Sequence, residues 1–150
     1  MVELELKVTG DQRDTFTNIV HITQGGSNGV PGDRMPLISL FPSENKLHMS
    51  SYVNGNINHS YNPPEILQLG IWTKIRIQQR LINSKYMYSV FINDKERYIV
   101  ENTTPIDLHN MIVYASDPWG STPNAKIRNF NFSTMSICKH TITIIKLGYH

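Results

Sequence analysis

The chain alternates from its first residues. Val2, Leu4, Leu6 and Val8 fall on one side of an extended segment, with Glu3, Glu5 and Lys7 on the other. That is the period of a strand with one buried and one wet face. The period returns at residues 17–23, where Asn18, Val20 and Ile22 oppose Ile19 and His21. Further strands are predicted at 36–41, 46–53 and 57–61. The last two are joined by Asn54-Gly55-Asn56, a hairpin signal because Asn and Gly tolerate positive φ. The longest pair follows: 71–81 sets Ile71, Thr73, Ile75 and Ile77 against Trp72, Lys74, Arg76 and Gln78. Residues 86–93 answer with Tyr86, Tyr88, Val90 and Ile92 against Met87, Ser89 and Phe91. Asn93-Asp94-Lys95 turns the chain into 96–100, and strands near 111–116 and 126–133 complete the series. The expected core is Ile75, Ile77, Val90, Ile92, Val113, Phe130 and Phe132.

No segment keeps a 3.6-residue period for more than about two turns. "QGGSNGVPGDR" is a loop by composition, and the consecutive prolines of "NPPEILQLG" forbid ladder pairing. About ten antiparallel strands at regular spacing predict an all-β, two-sheet antiparallel β-sandwich. With 150 residues, the chain is long enough for one sizeable core. Residues 1–134 form the predicted sandwich domain, and 135–150 a C-terminal tail or extra strand. The tail's "TITIIKL" is apolar and β-prone, suited to covering a sheet or to pairing between chains as a homo-oligomer.

Composition removes several classes of partner. The 14 basic residues stand against 12 acidic ones and are scattered, so no nucleic-acid stripe forms. No stretch approaches the ~18 apolar residues of a membrane span, so no membrane insertion is expected. The single cysteine, Cys138, builds neither a disulfide framework nor a zinc site within the chain. Its expected roles are a buried thiol or a bond to a partner outside the segment. Acceptor sequons at Asn58, Asn102 and Asn131 point to an extracellular, secreted or cell-surface glycoprotein. The N-terminus does not read as a signal peptide, so a leader is expected ahead of Met1 if the native protein is secreted.

Candidate chemistry is sparse. Glycoside hydrolysis needs two carboxylates facing across a cleft. Glu3 with Glu5, and Asp94 with Glu96, share strand faces, but a solvated strand and a hairpin tip explain them. There is no Gly-x-Ser-x-Gly elbow. His21, His48, His59 and His109 are too dispersed for zinc, and "GGSNG" precedes no helix that would hold a phosphate. The expectation is therefore no enzyme. Calcium draws oxygens from loop acids and amides, and Asp33, Asp117, Asn124, Asp11 and Asp14 are available. Alternatively each Asp organises its own turn, with Arg34 as a local partner for Asp33.

The corner Asp117-Pro118-Trp119-Gly120 is the most unusual short stretch. Pro fixes the turn, and Trp119 then has two readings. As a plug it closes one end of the core, with its N–H on a carbonyl; this structural reading is preferred here. As a platform it stacks on a sugar beside Asp117, Asn124 or the 25–34 loop with Asp33 and Arg34.

From residue 36 to 132 the features run "PLISLF", "KLHMSSYVNG", "LGIWTKIRIQQ", "YMYSVFINDKERY" and "AKIRNFNF". With Gly70, Trp72, Ile127, Arg128, Asn129 and Phe130 at its key positions, this order resembles the laminin-G-like branch of concanavalin-A-like jelly rolls. The resemblance implies an adhesion, matrix or carbohydrate-binding module, and a calcium site at one end of the sandwich where Asp33 and Asp117 would be the ligands. Galectins share the architecture but use His-Asn-Pro-Arg and Trp-Gly-Glu patterns, for which this chain has "NHSYNPP" and "PWGST". The expected function is non-catalytic recognition of carbohydrate or glycoprotein. The alternative is a structural or oligomerising domain of a larger matrix or cell-surface protein. A recognition module should cluster exposed aromatics in a polar groove, and Tyr52, Tyr61, Tyr86 and Tyr88 are the residues to inspect.

Overall fold

The alternating segments become eleven strands in a computed structural model that describes residues 1–134 and the backbone of residues 142–146. In chain order they are β1 (Val2–Val8), β2 (Thr17–Thr23), β3 (Leu37–Leu40), β4 (Leu47–Val53), β5 (Asn56–Tyr61), β6 (Thr73–Ile82), β7 (Lys85–Ile92), β8 (Lys95–Glu101), β9 (Met111–Ala115), β10 (Ala125–Phe132) and β11 (Ile142–Lys146). They form a two-sheet β-sandwich. The first sheet runs β10-β1-β6-β7-β8 and the second β11-β9-β2-β3-β4-β5. Cys138 lies outside the described residues.

Turn chemistry sets the hairpins. Asn54-Gly55, Asn83-Ser84 and Asn93-Asp94 all adopt positive φ at both positions, the geometry whose twist matches paired strands. Every strand pair is antiparallel except β11 with β9, which is parallel. Parallel neighbours ordinarily need a helical crossover. Here β10, placed in the opposite sheet, makes the crossing.

The core lies between the sheets. Leu4, Leu6, Ile22, Ile38, Leu40, Leu47, Met49, Ile75 and Val90 lose essentially all contact with solvent. Ile77 and Val113 are buried as expected, while Ile92, Phe130 and Phe132 pack against the cluster only in part. Ile71 departs from its predicted face: it precedes β6 and is 55% exposed. Outside the first sheet, Trp72 lies under the cations of Lys7 and Arg128.

Register shifts interrupt four strand pairs, and two of them bear on the sequence reading. In β10 the register against β1 shifts between Glu3 and Glu5, and Asn129 takes positive φ. Asn129 and Arg128 then both reach the Glu5 carboxylate at 2.8 Å. In β2 the register against β3 shifts between Asn18 and Val20. The extra residue turns Ile19 into the core and puts Asn18 on the same outer face as His21. The predicted opposition of these two side chains fails there, because a bulge reverses the alternation beyond it.

Candidate functional site

His21 is the anchor of the outer face of the second sheet. It is fully buried, with Nδ1 2.5 Å from Asp117 Oδ2 and Nε2 2.5 Å from the Asp33 carbonyl oxygen. One ring thus joins two segments far apart in sequence, the Gly-rich loop and the Asp-Pro-Trp corner.

Each segment is fixed locally by its own aspartate. In the loop, Asp33 Oδ2 accepts the N–H groups of Gly29 at 2.5 Å and Val30 at 3.0 Å. Gly26 packs so close to this carboxylate that a Cβ there would lie 2.3 Å from Asp33 Oδ1, so no larger residue fits. At the corner, Asp117 Oδ1 accepts the Trp119 backbone N–H at 3.0 Å, and Oδ2 accepts Asn18 Nδ2 at 2.9 Å. Gly120 allows that approach, since a Cβ would meet Asn18 Nδ2 at 2.2 Å. Burial alone would raise the Asp117 carboxyl, but the bonds from His21, Asn18 and the Trp119 N–H together hold it below the usual carboxylate range.

Between the two segments lies an open groove of about 590 Å³. Its floor is Asn18 of β2, Leu37 and Ser39 of β3, His48 of β4 and Asn58 of β5; Ser27, Asn28 and Arg34 wall one side. Phe16 and the Pro118-Trp119-Gly120-Ser121 corner form the rest of the rim. Phe16 is exposed and packs on Phe41 and His48 with centroids 5.1 and 5.2 Å apart. Burial holds His48 below the ordinary histidine value; a bond to Asn62 Oδ1 at 2.7 Å opposes this, and the Arg34 charge adds to it. The ring is therefore largely neutral near pH 7.

Trp119 corrects the plug reading. It is 45% exposed, edge-on to His21 at 5.5 Å and to Tyr114 at 5.6 Å. Its indole N–H meets no protein acceptor among the described residues. The Asp117 turn raises the ring onto the rim, where the buried His21 already fills the space beneath.

The other predicted residues divide. Arg34 lines the groove, whereas Asn124 does not: its Nδ2 bonds the Asp11 carbonyl and its N–H faces Gln12 Oε1, beside the end of β1. Asp33 and Asp117 are drawn toward one another through His21, but do not fit calcium. Asp33 Oδ2 and both Asp117 oxygens are taken by N–H donors, and an imidazole bonded at both nitrogens stands between the two segments. Among the described residues no group of three or more His, Cys, Asp or Glu is arranged to hold a metal ion.

The sequons also separate. Asn58 and Asn131 are exposed. Asn102 is 3% exposed; its Nδ2 donates to Gln79 Oε1, and its Oδ1 accepts the Asn54 and Thr104 N–H groups. A glycan on that amide is incompatible with this packing.

The tyrosines chosen for inspection do not gather in the groove. Tyr88 is buried, with its phenol pushed up by burial, and Tyr61 stacks on Tyr98 at 4.9 Å. Tyr86 is exposed, and Tyr52 is half-buried. Phe16, Asn18, His48 and Asn58 take the place they were expected to fill. Sequence held only a faint signal for Asn18, His48 and Asn58, a polar side chain on a predicted strand, and none for Phe16, which precedes β2.

A second cavity of about 450 Å³ opens between the sheets near Val2, Ile77, Tyr88 and Leu108, with Thr134 at its wall. Its lining is more apolar than that of the groove, although Ser51, Gln78, Gln79, Asn102 and Asp107 also reach it. Comparison with protein-family models, with curated proteins and with solved structures finds no match for this chain.

Proposed function

We propose that this chain is a non-catalytic, laminin-G-like recognition module that binds carbohydrate, free or on a glycoprotein, in the groove of the second sheet. The observation that carries the reading is Trp119, held half-exposed on the rim of a polar trough. An indole face covers the apolar side of a pyranose, while amide, hydroxyl and imidazole groups on the floor take its hydroxyls. Asn18, Ser39, His48 and Asn58 supply those groups, and the unbonded indole N–H adds a donor. No acid is among the described residues that line the groove, and His21 is buried beneath it with both nitrogens bonded, which favours binding over acid–base chemistry. Exposed sequons at Asn58 and Asn131 support an extracellular setting. A glycan array probed with the wild type and with Trp119→Ala tests the reading. Binding that disappears in the variant while it remains folded supports it; equal binding by both, or none by the wild type, overturns it.

The alternative structural role draws on a different surface. Leu81 and Tyr86 face one another across the β6–β7 hairpin, and Ile82 and the edge-strand residue Ile99 are also exposed. Edge pairing there would give a homodimer. Light scattering of the wild type and of Ile99→Lys distinguishes a dimer through this edge from a monomer.

A further inference from the structure

We infer that the groove selects acidic sugars, with Arg34 binding a carboxylate on the pyranose ring. The inference rests on the carbohydrate reading above and adds to it the class of sugar.

Among the described residues that line the groove, Arg34 is the only charged one, apart from His48 with its lowered affinity for protons. It is not a loose surface cation. Its carbonyl oxygen accepts the Tyr52 N–H at 3.1 Å, its Nε donates to the Ser27 carbonyl at 3.1 Å, and its Nη1 donates to Asn58 Oδ1. These bonds fix the plane of the guanidinium and leave N–H groups on its outer edge unused. Elsewhere Lys74, Arg76, Lys85, Arg97 and Arg128 each face a carboxylate within ion-pair distance. Arg34 has no such partner among the described residues; Lys7, Arg13, Lys46, Arg80, Lys95 and Lys126 also lack one, and Arg34 differs from them in lining the groove. The two nearby acids, Asp33 and Asp117, are committed to backbone N–H groups and to His21.

The result is a half-buried cation, preorganised, without a direct ion-pair contact, in a trough whose described lining holds no acid. Burial pulls the Arg34 guanidinium below its usual range, with the Asp117 and Asp33 charges opposing this. An anion brought by a ligand would complete the arrangement. A flat guanidinium edge matches a planar carboxylate through two parallel N–H···O bonds, better than it matches a tetrahedral sulfate.

The test uses methyl pyranosides of gluco, galacto and manno configuration, each as the neutral sugar, the uronate and the 6-sulfate. Binding is followed by titration calorimetry and ligand-observed NMR at low salt. For at least one configuration we expect the uronate to bind roughly ten-fold or more tighter than its neutral counterpart, as charge-assisted bonds imply, and tighter than the sulfate. Arg34→Gln should bring the uronate-to-neutral ratio to about one, and Arg34→Lys should restore part of it. Equal wild-type affinities for uronate and neutral sugar overturn the inference, whatever the variants do. A preference for sulfate overturns the carboxylate assignment. Neutral sugars that bind in a Trp119-dependent way, without uronate preference, sink the acidic-sugar inference alone. Failure of the whole panel to bind removes the carbohydrate reading and this inference with it.

Discussion

At the residue scale, Asp117 does more for the site than any side chain that faces it. It receives Trp119, Asn18 and His21 together, so the corner and β2 share one carboxylate, and His21 carries the link on to the loop. Replacing it with Ala leaves buried donors unpaired, and a loss of about 3 kcal/mol is expected in denaturant titration. Its pH behaviour has a definite sign. Because the folded carboxyl is held below its usual range, its contribution is complete above the unfolded value, near 4. It fades as pH falls through the lower, folded value. Melting temperature measured between pH 6 and 2 should therefore fall at the acid end, and Asp117→Asn should flatten that fall. Trp119 should behave differently. Its half-exposed ring predicts red-shifted, quencher-accessible emission in a Trp72→Phe background, and Trp119→Ala should cost roughly 2 kcal/mol, less than the ~3–5 kcal/mol of a fully buried ring.

At the scale of elements, strands and hairpins were legible because burial and turn chemistry leave local marks. β1 alternates in sequence as it does in burial, and Asn54-Gly55 turns where the dipeptide says. Bulges leave no such mark. One extra residue in β2 reverses Ile19 and Asn18, and the site depends on Asn18. The strand start of β6 misled for a related reason: Ile71 keeps the period but lies outside the ladder. The distinction is measurable. Ile75→Ala, at a fully buried position, should destabilise by roughly 2–5 kcal/mol. Ile71→Ala should stay within about 0.5 kcal/mol, as exposed substitutions do.

For the whole molecule, the sandwich was readable and the groove was not. Its residues come from positions 15 to 121 and meet only when six segments are placed side by side. No local pattern records that convergence. Trp119 and Arg34 stood out by their residue types, but Phe16, His48 and Asn58 acquire meaning from sheet order. The same placement bears on calcium. With both aspartates turned toward N–H donors, millimolar calcium should leave the melting temperature unchanged, whereas a ligand of the folded state would raise it by mass action.

The position of Asn58 has a consequence for how the protein is made. Its amide stands at the edge strand, on the floor of the groove and in hydrogen-bonding reach of Arg34, and it is also the acceptor of a sequon. A chain glycosylated there would carry a tethered sugar at an effective concentration on the order of millimolar, beside its own binding trough. The molecule would then supply its own competitor, and the host would decide whether the groove is vacant. Protein from a glycosylating host should bind external sugar more weakly than protein from a bacterial one. A Thr in place of Ser60, which preserves the sequon, should keep that difference, and Ser60→Ala should remove it without touching Asn58.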